Sequence, residues 1–310
     1  GFEKQMSGQD DITTILAKAN MLIYFSKLFK DNSNISEVQL LAKNLLNKTF
    51  SSSKTALGTL GHLEENKYDL ILANPPYYQD ATISKLAAAT GFYKAKGNGV
   101  EALFLEWIIR SLKYGGTANI VLPDGIFTNL GNTTLKEFIL KSCFIESIIS
   151  LPINSFFNTP KKTYILTLRK KTEDEIDNGV KQNFKIFCYI CKSIGETLDT
   201  YRFDTPDDND LHEAVNKYNS YKNLPDKSKI QEPFKSWFEN DGKLKLLSVD
   251  SLPASANWNI DNFWSDDEKI KLGFKKADDV MTLDEFKSFI DGLVNDMVNY
   301  KEAIECLKQQ

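Results

Sequence analysis

Residues 68–77 read Tyr-Asp-Leu-Ile-Leu-Ala-Asn-Pro-Pro-Tyr and are the most informative part of the chain. A short apolar run of this kind is typical of a buried strand in a parallel sheet. The two prolines end the strand and stiffen the backbone just beyond its carboxyl end. In open α/β sheets, ligands bind outside the carboxyl ends of the strands. The sequence therefore predicts a ligand site at Asn74-Pro75-Pro76-Tyr77.

The four residues of this turn suit a planar amino group attached to an aromatic ring. The Asn74 side-chain oxygen and the Pro75 carbonyl can accept the two amino hydrogens. Pro76 keeps the turn stiff, and Tyr77 can stack on the ring. Taken alone, the four residues leave a second interpretation open, in which they form a rigid turn without a ligand.

Two later blocks of sequence favour the ligand site. The first is a glycine turn followed by a strand and a Pro-Asp-Gly turn, and the second is a pair of β-rich runs around Ser-Phe-Phe-Asn-Thr. They occupy residues 112–116, 120–125, 148–152, 155–159 and 164–166. Together with the tetrapeptide, these blocks resemble the modification subunit of type I restriction-modification systems, a family of adenine-N6 DNA methyltransferases. The resemblance covers residues 1–171.

The resemblance implies a fold, an activity and further site residues. The fold is α/β, a class I Rossmann-like methyltransferase sheet with a late antiparallel strand. The activity is methyl transfer from S-adenosylmethionine to an adenine flipped out of the DNA duplex. The resemblance assigns Phe157 to the second aromatic wall around the base, with Phe156 as the adjacent candidate, and Glu3 to the cofactor ribose. The alternatives are core positions for the two phenylalanines and a solvated Glu3.

One part of the family pattern does not occur in the sequence. The glycine-rich loop that wraps the methionine part of the cofactor should precede the strand that carries Glu3, and the sequence begins at Gly1. Gly97-Asn98-Gly99 lies in a polar stretch after the tetrapeptide and is interpreted as an ordinary loop. We therefore expect a sheet that is incomplete at its amino end. We also expect this chain by itself to bind S-adenosylmethionine very weakly or not at all and to be catalytically impaired.

Composition limits the classes of partner. The net charge is −4 over 310 residues, so binding to DNA requires a local basic patch or a partner subunit. One basic cluster is present, for which phosphate contacts and a solvated face both remain open. It consists of Lys161, Lys162, Arg169, Lys170 and Lys171. No apolar stretch approaches the ~20 residues that span a bilayer.

The cysteines and histidines predict no metal site. Cys188 and Cys191 form a single C-x-x-C pair within an alternating strand pattern, and a zinc site would need two further ligands. His62 and His212 are the only histidines and stand far apart in the sequence. Buried structural thiols are the preferred interpretation. Four cysteines in a chain of this length indicate a reducing compartment, so we expect a cytoplasmic protein.

Hydrophobic patterning predicts the elements around the tetrapeptide. Helical spacing predicts a helix over residues 10–30, and an apolar run predicts the third strand of the sheet over residues 38–50. A loop with a small helix is predicted over residues 78–100, long enough to close over a base.

Two domains are predicted from the change of character near residue 195. Residues 1–195 form the partial methyltransferase domain, and residues 196–310 form a carboxyl-terminal extension. The extension contains a long amphipathic helix over residues 282–308. This helix packs either on its own domain or on a partner.

The resemblance implies three partners, which are DNA, a specificity subunit that reads the DNA sequence and a restriction subunit. No helix-turn-helix or zinc finger is evident in this chain, so sequence choice is expected to lie in the specificity subunit. Two other functions remain as alternatives. One is a protein-glutamine N5 methyltransferase, which shares the tetrapeptide, and the other is a non-enzymatic assembly fragment that binds a specificity subunit.

Overall fold

The computed structural model describes residues 9–26, 30, 35–48, 55–156, 160–276, 286–288, 290–294 and 297. The chain forms two compact units, residues 1–263 and residues 264–310. The first unit contains all the strands described below. This unit continues past residue 195, and its last strand lies at residues 244–247. The division between residues 195 and 196 stays a prediction.

Strands and helices alternate along most of the first unit. The strands are β1 (Tyr68–Ala73), β2 (Leu112–Pro123), β3 (Cys143–Ser150), β4 (Thr163–Lys170), β5 (Ile186–Ile190) and β6 (Leu244–Leu247). The helices are α1 (Gln9–Tyr24), α2 (Ile35–Lys48), α3 (Ala81–Ala89), α4 (Val100–Ser111), α5 (Asp124–Thr128), α6 (Thr133–Ser142), α7 (Glu173–Asp177), α8 (Asp210–Lys222), α9 (Phe234–Glu239) and, in the second unit, α10 (Asp266–Lys271). Short 3₁₀ turns occupy Gly58–Gly61, Leu130–Asn132, Val249–Ser251 and Ile260–Phe263.

The six strands form one mixed sheet in the order β1-β2-β4-β3-β5-β6. β1 pairs in parallel with β2, with Leu72 opposite Asn119, and β3 pairs in parallel with β5. β4 runs antiparallel to both of its neighbours, β2 and β3. The predicted α/β class with a late antiparallel strand is therefore confirmed.

Strand direction places the tetrapeptide at a defined edge of the sheet. β1, β2, β3 and β5 are parallel to one another, so their carboxyl ends meet at a single edge. Because β4 is antiparallel, its first residues lie at that edge and its last residues lie at the opposite edge. We call the first the catalytic edge, since Asn74 directly follows β1 there, and the second the distal edge.

Helices cover both faces of the sheet. One face carries Ile149, Phe187 and Tyr189, and it packs against apolar residues of α8 and α9, including Tyr221 and Phe238. The other face carries Ala118, Ile120 and Leu122 of β2, all fully buried. On this second face Tyr164 of β4, paired with Leu122, meets the ring of Phe127 at 4.6 Å between centroids.

A buried lysine attaches the irregular segment before residue 264 to this second face. The ammonium group of Lys136, in α6, donates to the carbonyl oxygens of Phe127 and Ala256, each 2.8 Å away. It also lies 5.3 Å from the ring centroid of Trp258, whose backbone amide donates to Phe127. Lys136 and Trp258 are both buried. The segment around Trp258 is thus docked through backbone carbonyls.

Some sequence expectations are wrong or lie outside the described residues. The apolar run at residues 38–50 is not a strand, because residues 35–48 form α2. Leu, Ala, Lys and Gln dominate this stretch, and they are better helix formers than strand formers. Strand β6 was not anticipated. The predicted helix over residues 282–308 lies largely outside the described residues; the parts that are described, such as residues 290–294, are helical.

Candidate active site

The tetrapeptide forms the candidate site at the end of β1. Asn74 is exposed, Pro75 is buried, and Tyr77 is half-buried. The Tyr77 hydroxyl lies within hydrogen-bond distance of Asn74 Oδ1 and is 3.3 Å from the carbonyl oxygen of Val121, in β2. The structure therefore brings the amide and the aromatic ring together at the catalytic edge, as the sequence predicts.

Tyr77 acts as a neutral donor in this arrangement. Burial raises the pKa of Tyr77 well above its ordinary value, and the nearby negative charge of Glu101 adds to the shift. The phenol therefore keeps its proton at neutral pH. Its hydroxyl donates to Asn74 Oδ1, the atom that we expect to accept a hydrogen from a substrate amino group, and the second lone pair of this oxygen remains for that hydrogen.

Glu101 is a site residue that sequence reasoning did not single out. It lies in the first turn of α4, and the Val100 amide beside it donates to the Tyr78 carbonyl at 3.0 Å. Burial raises the pKa of Glu101, while a hydrogen bond from its own backbone and the charge of Lys161 oppose the shift. One carboxylate oxygen, Oε2, is buried and has no hydrogen-bond partner among the described residues.

Gly99 makes room for this carboxylate. Its φ is +86°, a left-handed conformation that favours glycine. A Cβ at this position would lie 2.5 Å from the carboxylate of Glu101. The segment Gly97-Asn98-Gly99 is a loop as predicted. The backbone amide of Asn98 donates to Asn132 Oδ1 at 2.7 Å, which attaches the loop to the turn before α6. The sequence signal that could have located Glu101 is this glycine directly before an acidic first helical turn.

The predicted aromatic walls are only partly described. Phe157 lies outside the described residues, as do Asn158 and Thr159. Phe156 is half-buried and packs against the core cluster that contains Ile149 and Phe187. Its place in a base pocket stays a prediction, as does that of Phe157. Glu3, the predicted ribose ligand, also lies outside the described residues.

A second polar cluster at the catalytic edge was not anticipated. The Tyr164 hydroxyl donates to Asp261 Oδ2 at 3.2 Å, and Lys162 Nζ pairs with the same oxygen at 3.2 Å. Asp124 follows β2 directly, and burial raises its pKa, while its hydrogen bond with Thr128 opposes the shift. The cluster joins β2, β4 and the segment around Asp261 at the catalytic edge, and we call it the Asp261 cluster.

Neither a metal site nor a membrane-spanning helix is found in the described part of the chain. No group of three or more histidine, cysteine or acidic side chains there could hold a metal ion. Cys188 and Cys191 are buried, and burial raises the pKa of both thiols, consistent with a structural role. Within the same ranges, no helix has the length and apolar character that crossing a membrane requires.

Comparison with known proteins gives a family and several relatives. The family model described as N-6 DNA Methylase matches residues 3–236. The methylase subunit of the type I restriction enzyme EcoEI from Escherichia coli is 30% identical over 161 residues, which are 50% of this chain and 28% of that protein. The type II methyltransferase M.HincII from Haemophilus influenzae is 25% identical over 173 residues, which are 51% of this chain and 34% of that protein.

These matches span about a third or less of the two relatives' own lengths. Among solved structures, the methyltransferase subunit of a type I restriction-modification system from Streptococcus thermophilus aligns with a TM-score of 0.45 and 21% identity. That alignment covers 63% of this chain and 37% of the other.

Proposed function

The chain belongs to the N-6 DNA methylase family, and we propose that it presents the amino group of a DNA adenine for methylation at N6. The observation that carries the proposal is the exposed Asn74 amide at the carboxyl end of β1, with the Tyr77 ring beside it. An amide oxygen and an aromatic ring held together suit the flat, amino-bearing edge of adenine.

The residues of the turn would act by position rather than by acid-base chemistry. Asn74 Oδ1 and the Pro75 carbonyl accept the two amino hydrogens, which draws the nitrogen lone pair out of the ring and toward the methyl donor. Holding the two reacting atoms in line is the main source of rate. The amino nitrogen loses one proton to water as it gains the methyl group. The base must leave the duplex first, and stacking on Tyr77 offsets part of that cost.

S-adenosylmethionine is the proposed methyl donor and supplies an electrophilic methyl carbon on a sulfonium. The described residues hold the acceptor side of this reaction. In those same ranges no glycine-rich turn leads from a strand into a helix, and Glu3 lies outside them. The proposal that Glu3 binds the cofactor ribose rests on the family resemblance alone.

We propose a specificity subunit and a restriction subunit as protein partners within a restriction-modification system. The net charge of −4 supports this arrangement, because the chain has no long-range attraction for DNA of its own.

Transfer of radiolabelled methyl groups tests the proposed function. The natural polypeptide with its specificity subunit is incubated with labelled S-adenosylmethionine and plasmid DNA, and the digested product is identified by mass spectrometry. We expect N6-methyladenine. Label on glutamine of an added peptide, with none on DNA, would instead support a protein-glutamine methyltransferase. Absence of transfer to either acceptor would support the non-enzymatic assembly fragment.

The contact between Tyr77 and Asn74 leads to a prediction for two substitutions. Tyr77→Phe removes the hydroxyl that donates to Asn74 and keeps the ring, so the rate and the DNA affinity should stay close to those of the wild type. Tyr77→Ala removes the ring and should weaken binding to a duplex mismatched at the target base by about 1–3 kcal/mol, or about 5- to 150-fold.

A fluorescent 2-aminopurine at the target position reports the same stacking. Its emission in the complex should be similar for the wild type and Tyr77→Phe and should differ for Tyr77→Ala. Equal losses in both variants would mean that the hydroxyl, and not the ring, is the part of Tyr77 that matters.

A further inference from the structure

The basic cluster of the sequence, residues 161–171, is divided between two edges of the sheet. Lys161 and Lys162 stand at the start of β4, at the catalytic edge, whereas Arg169, Lys170 and Lys171 stand at its end. Because β4 is antiparallel to β2, the last three residues lie at the distal edge, far from Asn74. Closeness in sequence therefore does not make these five cations one surface.

The three distal cations are engaged within the fold. Lys170 is buried and donates to the Leu112 carbonyl and to Asn66, both at 2.8 Å. Lys171 is also buried and donates to the Leu140 carbonyl at 2.8 Å. Arg169 pairs with Glu146 at 3.4 Å and lies over the ring of Phe144. Burial of Lys170 and Lys171, the ion pair of Arg169 and the place of all three at the distal edge therefore argue against contacts with a phosphate near Asn74.

The two cations at the catalytic edge differ from each other. Lys162 pairs with Asp261 at 3.2 Å and belongs to the Asp261 cluster. Lys161 is exposed, and its ammonium nitrogen lies 3.5 Å from the Tyr77 carbonyl oxygen. Its charge also reaches Glu101, whose pKa it lowers against the larger effect of burial. An exposed positive charge thus lies next to the turn that carries Asn74.

We propose that Lys161 binds a backbone phosphate of the target DNA strand, next to the flipped nucleotide. This inference rests on the proposed DNA substrate. A nucleotide whose base stacks on Tyr77 has its own phosphates at the mouth of the same turn, and an ammonium group on a flexible stem suits phosphate as a point charge. The contact fixes the strand without reading its sequence. The 3.5 Å contact with the Tyr77 carbonyl already places Lys161 at this turn before DNA binds.

The salt dependence of DNA binding tests this assignment without any need for catalysis. The natural polypeptide, with its specificity subunit, is titrated into a short fluorescent duplex that carries a mismatch at the target adenine. Each phosphate contact that a protein makes contributes about −0.9 to the slope of log K against log salt concentration on duplex DNA. We expect Lys161→Gln to reduce the magnitude of this slope by about 0.9 and to weaken binding to all sequences alike.

Two matched variants complete the experiment. Lys161→Arg keeps the positive charge and should retain the wild-type slope. Lys162→Gln removes the neighbouring charge, which Asp261 already engages, and should leave the slope unchanged. A wild-type slope for Lys161→Gln, or an equal reduction for Lys162→Gln, would overturn the assignment while leaving the proposed function in place. A wild-type complex that binds no DNA would overturn both.

Discussion

Replacing Asn74 with alanine is expected to lower the methylation rate by about two to three orders of magnitude. The amide is exposed at the end of β1 and supplies the acceptor that we propose for the target amino group. Its loss leaves one of the two amino hydrogens without a fixed partner in the transition state, and the exposed side chain contributes nothing to the core. Initial rates with radiolabelled S-adenosylmethionine measure the effect.

Two further variants serve as comparisons for Asn74→Ala. Asn74→Asp keeps an acceptor oxygen at the same place and should retain more activity than Asn74→Ala. Asn216 is exposed on α8, away from the catalytic edge, and Asn216→Ala should behave like the wild type. A rate for Asn74→Ala near that of the Asn216 control would remove Asn74 from the proposed mechanism.

Replacing Lys136 with methionine is expected to lower the free energy of unfolding by roughly 2–5 kcal/mol. Methionine preserves most of the buried stem, so the change removes mainly the ammonium group. The carbonyls of Phe127 and Ala256 then lose their donor in a buried setting, and each such loss costs about 1–3 kcal/mol. Burial lowers the pKa of Lys136, so part of this stabilisation is offset by the cost of holding the charge. Denaturation with urea measures the difference.

The matched control for this prediction lies on the same helix. Lys141 is exposed in the last turn of α6, and Lys141→Met should change the free energy of unfolding by no more than about 0.5 kcal/mol. Equal stability of the two variants would show that the Lys136 ammonium group does not hold the segment around Trp258.

The strands next to the tetrapeptide could be predicted from the sequence because their signals are local. β1 is a largely apolar run ended by two prolines, and β3 and β4 are β-rich runs of eight residues that also include polar residues. The prediction that β1 is buried is wrong for the described part of the chain, because Leu70 and Leu72 of this outer strand are 57% and 72% exposed. β6 has only four residues, and it is a strand because it pairs with β5 across a long insertion. The stretch that forms α2 carries apolar residues of both helical and strand spacing, and helix propensity outweighs the strand interpretation.

The candidate site was predictable only as far as it is contiguous in sequence. Asn74 and Tyr77 are the first and last residues of one four-residue turn, and the structure brings them together. Glu101 and Asp261 arrive from α4 and from the segment before the second unit, through tertiary contacts that no local pattern reveals. The basic residues 161–171 do not form one surface, for the opposite reason. They are neighbours in sequence, but β4 extends by about 3.4 Å per residue and carries them to opposite edges of the sheet.

The pairing order of the sheet also sets how readily each part of it opens. β4 is bonded on both sides, to β2 and to β3, so its amides exchange with solvent only when much of the fold unravels. β1 is an outer strand of the six, and within the described residues it is bonded to β2 alone. Its hydrogen bonds can break one at a time without disturbing the other strands. The Asn74 turn is therefore attached to an outer strand, which opens at a lower free energy than the interior of the sheet, while Tyr164 lies on β4, which is bonded on both sides.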